Sequence, residues 1–324
     1  MKAAVYRQYG SPNVVHIEDV AKPEPKNNEV LVKIRATTVS AADWRIRSLT
    51  VPKGFGLIIR LFFGVLRPRQ PILGTELAGE IEAVGKDVTK FKVGDAVFAY
   101  PGAELGSHAK YRTMPEDGRI ALKPANLSFE EAAALSFGGA TALYFLRDVA
   151  KLQKSESVLV VGASGSVGSA AVQLAKHFGA EVTGICSTAN VELVKSIGAD
   201  RVIDYTKEDY KQGGERYDVI FDTVGETPLA KNLSALKAGG RLALIAANLP
   251  QILATVWRSK SDQKKVFAGP ATESPEQLQF LKDLSEAGKF KPVIDQRFPL
   301  ESIALAHARV DSRRKTGNVI VTVP

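Results

Sequence analysis

The stretch whose reading decides the fold is Ser157–Val182, SVLVVGASGSVGSAAVQLAKHFGAEV. It opens on an apolar strand, Ser157–Val161, that runs straight into Gly162-Ala163-Ser164-Gly165-Ser166-Val167-Gly168. An amphipathic helix over Ser169–Phe178 follows, and a second strand begins at Glu181. Strand, turn, helix and second strand in that order distinguish a phosphate-binding turn from an ordinary glycine-rich one. Small side chains let the backbone approach a pyrophosphate, and the helix N-terminus offers free N–H groups and the positive end of its dipole. Gly168 lets the helix pack closely on the strand. The Gly-Lys-Ser ending of an ATP-binding loop is missing, which argues against ATP.

Downstream, apolar runs recur at Glu181–Ile185, Arg201–Ile203, Asp218–Asp222 and Arg241–Ile245, separated by helical stretches. That alternation predicts an α/β domain with a doubly wound parallel sheet, the Rossmann arrangement. The choice of dinucleotide turns on the end of the second strand. NAD-binding domains place an acid there, about twenty residues beyond the glycines, to hydrogen-bond the ribose 2′-hydroxyl. Here the chain reads Ile185-Cys186-Ser187-Thr188-Ala189-Asn190, with no carboxylate. Ser187 and Asn190 can donate to a 2′-phosphate that an acid would repel, which favours NADP (as NADPH). Ser187 can equally be a simple helix cap. Beyond residues from elsewhere, only Lys195 is at hand to supply positive charge.

Working outward, the grammar changes on both sides. From Met1 to about Lys123, short alternating segments such as Glu29–Arg35 and Gly79–Val84 are bounded by Gly, Pro and Asp, as in an antiparallel, barrel-like domain. Ser128, with Glu131 three residues on, opens a helix through Glu130–Leu146. Ser274-Pro275-Glu276 opens another, with proline at the first helical position. After Gly288 strand grammar returns and ends in Asn318–Val323. Residues 124–288 are therefore expected to form the dinucleotide domain, and 1–123, completed by 289–324, the other.

Composition bounds the function. The 324 residues carry a net charge of +8, with 45% hydrophobic and 24% charged residues, as in an ordinary soluble globular protein. The charge suits nucleotide phosphates, but the basic residues are scattered and no aromatic RNA-binding motif accompanies them, so no nucleic-acid partner is expected. The opening MKAAVYRQYG lacks the apolar run of a secretory signal. Phe55–Leu66, the most apolar stretch, is broken by Arg60 and falls short of the ~20 residues that span a bilayer, so no integral membrane segment is expected. Cys186 stands alone, which excludes an internal disulfide and a cysteine-based structural zinc site and fits a reducing, cytoplasmic location.

Taken together, these segments resemble the medium-chain dehydrogenase/reductase superfamily, and within it the quinone oxidoreductase branch, over almost the whole chain. KAAVYRQYGSPNVVHIEDVAKPEPKNNEVLVKI looks like the family's first sheet. Gly74-Thr75-Glu76-Leu77-Ala78-Gly79 followed by VGKDVTKFKVGDAV resembles its hallmark region, and EEAAALSFGGATALYFL its domain-linking helix. Val293–Val323 looks like its returning strands. The cofactor turn nearly matches, with Gln173 and Lys176 in place, and departs at Ser166, where the family usually has glycine. The resemblance implies a Rossmann domain plus a GroES-like, mostly antiparallel β-barrel. Zinc-dependent alcohol dehydrogenases of the same superfamily hold their metal through a cysteine and a histidine at positions that look like Ser40 and Thr75. No metal is expected here, and His16, His108, His177 and His307 show no ligand spacing to one another.

The same resemblance implies site residues. Ser40 and Asp43 match a segment lining the floor of the cleft near the nicotinamide, although Asp43 can equally be a cap. Thr141 matches a position near the nicotinamide ring, and Tyr205 one beside the adenosine phosphate. Lys315-Thr316-Gly317-Asn318 resembles a segment that closes over the cofactor. Val224, Gly225, Ala246 and Ala247 follow the fourth and fifth strands, the carboxyl edge where such sheets bind their ligand. The run Val51–Gln70 mixes apolar and basic residues, as a substrate flap, a packed helix or a peripheral membrane contact would. No Ser-His-Asp, paired-carboxylate or reactive-cysteine arrangement stands out, and Tyr100, Tyr111 or solvent could supply a proton. The expected activity is hydride transfer from NADPH to a quinone by a cytoplasmic homodimer. An enone or alkenal double-bond reductase and a non-catalytic NADPH-binding sensor are the alternatives.

Overall fold

The computed structural model describes residues 1–209, 214–252 and 264–324. They form two compact units: Met1–Val51, Gly56–Phe137 and Glu273–Pro324 make one, and Pro52–Phe55 with Gly138–Thr272 the other.

In the first unit, β1 (Lys2–Tyr6) and β2 (Val15–Asp19) form an antiparallel ribbon. The longest strand, β3 (Glu29–Val39), pairs antiparallel with β4 (Leu77–Val84) and with β6 (Tyr111–Pro115). β5 (Ala96–Ala99) joins β4, and β7 (Ile120–Leu122) joins β5. Val30, Val32 and Ile34, alternate residues of β3, are fully buried and pack with Leu77, Ile81 and Val97, which fixes the register by fixing which face meets the core.

Among the described residues, the second unit holds six parallel strands: β8 (Ser157–Val161), β9 (Glu181–Cys186), β10 (Arg201–Asp204), β11 (Tyr217–Asp222), β12 (Leu236–Leu244) and β13 (Lys265–Ala268). Their order across the sheet is β10-β9-β8-β11-β12-β13. The order reverses between β8 and β11, the switch point at whose carboxyl ends open α/β sheets bind their ligands. Val158, Leu159 and Val160 are all fully buried, as continuous apolar runs are when helices cover both faces. The chain then returns to the first unit, where β14 (Ile294–Pro299) lies parallel to β15 (Asn318–Thr322) and β15 pairs antiparallel with β3.

Three local readings need correction. The helix beyond the phosphate turn starts at Ser166, not Ser169, with Gly165 as its N-cap. The expected helix Glu130–Leu146 is three pieces: Phe129–Ala133, Ser136–Leu143, and a π-helical turn over Tyr144–Val149. The Ser128–Glu131 capping box does open the first piece. The second starts afresh because the Glu76 carboxylate accepts from Ser136 Oγ at 2.9 Å and Phe137 N at 2.7 Å, satisfying its leading N–H. The sixth strand, β13, was not foreseen; its four residues KVFA are too short to signal their type.

Candidate active site

The turn between β8 and the helix Ser166–His177 is held from below. Gly162 N and Ala163 N donate to Ile185 O at 3.1 and 2.9 Å, and Gly165 N donates to Gly162 O at 3.1 Å. Its three glycines have different reasons to be glycine. Gly162 has φ of +79°, and a Cβ at Gly168 would sit 2.0 Å from the Gly162 carbonyl oxygen, so the unit's own packing requires both. Gly165 has extended backbone, φ −78° and ψ 176°, that any residue adopts. A Cβ there would find only Gly162 O at 3.5 Å, an ordinary contact. Nothing within the protein asks for glycine at 165. What a side chain would fill is the space in front of the helix N-terminus, where the Val167 and Gly168 N–H groups have no carbonyl a turn earlier. The first turn carries no acid. A pyrophosphate would suit this cradle through the backbone N–H groups, since the side chains of Ala163 and Ser166 are themselves buried.

At the end of β9, Ser187 precedes a short 3₁₀ turn, Thr188–Asn190. Asn190 Nδ2 donates to Ser187 Oγ at 3.2 Å, which leaves the serine proton for an outside acceptor. Lys195, the cation the sequence offers nearby, places its Nζ 2.9 Å from Glu192 on the same helix. The reading of β9 also missed an acid one strand over. Asp204, at the end of β10, accepts from Thr188 Oγ1 at 2.5 Å and from Thr206 N and Oγ1 at 3.0 and 2.7 Å, and these bonds hold its carboxyl down at about 2. Tyr205 beside it is 64% exposed. Burial pushes the Cys186 thiol up to about 11, so it stays protonated and unreactive.

After β11, Asp222 is fully buried and organises the next turn. Its Oδ1 accepts from Val224 N and Gly225 N at 2.9 and 3.0 Å, and its Oδ2 from Asn232 Nδ2 at 2.9 Å. Ala246 and Ala247, after β12, are buried, and a Cβ at Gly225 would meet Ala246 O at 2.3 Å. Val224, Gly225, Ala246 and Ala247 therefore share the carboxyl edge with the phosphate turn. Thr141 is buried on the helix Ser136–Leu143, just before the π-helical turn.

In the first unit, Ser40 and Asp43 form a capping box at the start of the helix Ala41–Ser48. Asp43 Oδ2 accepts from Ser40 Oγ at 2.6 Å and Ser40 N at 2.8 Å, and Oδ1 from Gly74 N at 2.8 Å. The carboxylate thus ties the helix to the segment holding Thr75 and Glu76. With its proton given to Asp43, Ser40 Oγ accepts from Thr75 Oγ1, 3.2 Å away. Glu76, fully buried, takes hydrogen bonds from Thr38, Ser136 and Phe137, yet burial outweighs them and raises its carboxyl to about 7. Lys315 donates to Gly317 O at 2.5 Å, and burial lowers its ammonium to about 8. Gly317 and Asn318 have structural employment: a Cβ at 317 would meet Val293 O at 2.2 Å, and Asn318 donates to that same oxygen.

The N-terminal part of the chain, residues 26–157, matches the family model "Alcohol dehydrogenase GroES-like domain", and residues 197–321 match "Zinc-binding dehydrogenase". The NADPH-dependent alkenal/one oxidoreductase of Arabidopsis thaliana is 34% identical over 99% of this chain and 79% of its own. The quinone oxidoreductase of Pseudomonas aeruginosa is 31% identical over 99% of both chains. The solved quinone oxidoreductase of Coxiella burnetii superposes with a TM-score of 0.88 at 27% identity, covering 100% of this chain and 99% of that one. The chain belongs to the medium-chain dehydrogenase/reductase superfamily, in its quinone oxidoreductase branch. It is an oxidoreductase with the Rossmann and GroES-like folds of that superfamily.

The zinc in one of those model descriptions finds no fitting donors at Ser40 and Thr75 of this oxidoreductase. Ser40 and Thr75 offer hydroxyls bonded to each other, and both Asp43 oxygens are engaged, whereas zinc takes thiolate, imidazole or carboxylate. Among the described residues, no three or more His, Cys, Asp or Glu are grouped to hold a metal. Neither tyrosine considered as proton source is a ready acid. Burial raises Tyr100 well above its ordinary value, and burial and Glu82 raise Tyr111. Sequence reasoning missed Glu76, Asp204 and Asp222 as site-building residues. Only Glu76 carried a signal, its place inside the Gly-Thr-Glu hallmark.

Proposed function

We propose that this oxidoreductase transfers hydride from NADPH to a quinone without a metal. The observation that carries the dinucleotide reading is the open space before Gly165, which the protein's packing does not explain and a pyrophosphate would fill. Gly162 to Gly168 would hold the phosphates, Ser187 and Asn190 the 2′-phosphate, and Tyr205, Val224, Gly225, Ala246 and Ala247 the rest of the nucleotide. In the second unit Thr141 would lie beside the nicotinamide, and in the first Lys315, Gly317 and Asn318 would be the cofactor contacts that the resemblance implies. When bound, the dihydronicotinamide supplies a hydride, and a quinone taking that hydride and one proton becomes the hydroquinone. Ser40 and Asp43 serve as positioning residues, since the proton of Ser40 is committed to Asp43. Without zinc to polarise an alkoxide, acceptors already activated by conjugation fit better than simple alcohols. Solvent delivers the proton.

A reduction of enones or alkenals uses the same hydride and is favoured by the 34% identity to a relative named for that activity. Initial rates with quinones and enones, each with NADPH and NADH, separate these readings. The expected result is faster quinone turnover and an NADPH preference of about tenfold to a hundredfold, from one or two charge-assisted bonds to the 2′-phosphate. Ser187→Asp should move preference towards NADH. Equal or better use of NADH by the natural protein would overturn the cofactor assignment, and enone rates far above quinone rates would replace the substrate.

A further inference from the structure

The helix Gly56–Phe63 of the first unit turns apolar side chains away from the core. Leu57, Ile58, Leu61 and Phe62 are 68%, 51%, 56% and 63% exposed, and the i, i+4 pairs 57/61 and 58/62 set them on one face. Phe63 lies on the other side and packs against the hydrophobic core. The exposed run continues past the helix to Leu66, which is 90% exposed. Four apolar side chains in two adjacent rows are a patch, not the scattered single exposures normal on a surface.

The segment that carries this patch has charge of one sign. Residues 51–70 hold Lys53, Arg60, Arg67 and Arg69 and no Asp or Glu. All four cations are exposed. Arg60 donates to Val65 O at 2.7 Å and Arg69 to Phe62 O at 3.3 Å, carbonyl partners that pin the guanidinium groups beside the patch without neutralising them. Apolar side chains flanked by uncompensated cations match a layer whose surface is anionic and whose interior is hydrocarbon. A second copy of this chain is a poor match, because a two-fold interface would set cations against cations. A polyanion such as nucleic acid would satisfy the charges and leave the aliphatic side chains uncovered.

We propose that this helix and the loop to Arg69 dock the protein peripherally on an anionic bilayer, with Leu57, Ile58, Leu61, Phe62 and Leu66 entering the headgroup boundary and Arg60, Arg67 and Arg69 meeting the lipid phosphates. This inference does not depend on which acceptor is reduced. The test floats the full chain with vesicles of phosphatidylcholine alone or mixed with phosphatidylserine. Binding is expected only to the mixed vesicles and should be lost in high salt. Each cation removed should weaken it about fivefold, so the Arg67→Glu, Arg69→Glu double variant should lose at least about twenty-five-fold. Leu61→Ser with Phe62→Ser should lose binding at least tenfold while keeping the melting temperature, since both side chains are exposed. Equal recovery on neutral and anionic vesicles, indifference to either double variant, or a self-association that the serine variant abolishes would each overturn the proposal.

Discussion

Gly165 and Gly168 stand three residues apart and fail in opposite ways when substituted. Valine at 168 drives its Cβ into the Gly162 carbonyl oxygen, so the folded unit must deform. A Cβ at 165 meets no protein atom closer than 3.5 Å and projects into the space in front of the helix. Gly165→Val should therefore lose only the roughly 1 kcal/mol of a poorer N-cap residue but bind NADPH at least about a hundredfold more weakly, the loss of two charge-assisted N–H bonds. Gly168→Val should lose stability first. Calorimetric titration beside thermal melting reads both, and undiminished NADPH affinity in folded Gly165→Val would remove the dinucleotide from this turn. At this scale the sequence was legible where a residue is explained by what it lacks, as with glycine. It was opaque where a carboxylate acts through partners distant in the chain, as Glu76 does with Thr38 and Ser136.

At the scale of elements, the start of the helix Ala41–Ser48 rests on one side chain. Asp43 accepts three hydrogen bonds, two from its own N-cap residue and one from Gly74 N across 31 residues. Asp43→Ala would leave buried Gly74 N and Ser40 Oγ without their acceptor, at a cost of about 1–3 kcal/mol each. We expect a loss of about 3 kcal/mol in denaturant unfolding, and Asp43→Asn should recover part of it by keeping one acceptor oxygen. A loss below about 1 kcal/mol in Asp43→Ala would show that the cap is not what holds Thr75 in place. The sequence offered both readings of Asp43, cap and active-site residue, because a capping box and a polar site share the same residue types. Likewise the alanine-rich run 130–146 looked like one helix because alanine is at home anywhere in a helix and marks no break. Only the buried acceptor at Glu76 shows why the helix restarts at Ser136.

Across the whole molecule, two buried groups pull the pH dependence of stability in opposite directions. His307 is fully buried, its two ring nitrogens have no hydrogen-bond partner among the described residues, and burial holds its pKa well below the usual 6.5. Below about pH 6.5 the unfolded chain takes a proton there that the folded chain refuses, so stability falls as pH falls. Glu76 behaves conversely. Its carboxyl, raised from 4.5 to about 7, keeps its proton in the folded state while the unfolded chain releases it. Its contribution is complete below pH 4.5 and is lost as pH rises through 7, on the order of 3 kcal/mol. His307→Leu should flatten the acid side and, by removing two buried unpaired nitrogens, stabilise by about 1 kcal/mol. Glu76→Gln should flatten the fall between pH 4.5 and 7. Melting temperatures from pH 4 to 8 decide this, and unchanged slopes in both variants would mean that other groups set the profile.

The sequence by itself determined the doubly wound sheet, the position of the glycine-rich turn and the oxidoreductase family. Those properties are written in local signals: apolar runs of strand length, small residues between strand and helix, and motifs contiguous in the chain. The tertiary structure alone decided which glycine of the turn has no packing reason to be glycine, that Lys195 is held by Glu192, and that Asp204 sits against the turn after Ser187. It also decided that the apolar face of residues 57–62 is exposed, which composition left open between a packed helix, a flap and a surface contact. The physical reason is common to these cases. Backbone conformation and hydrophobic period are properties of neighbours in sequence, whereas burial, charge pairing and steric need depend on atoms that only folding brings within a few ångströms.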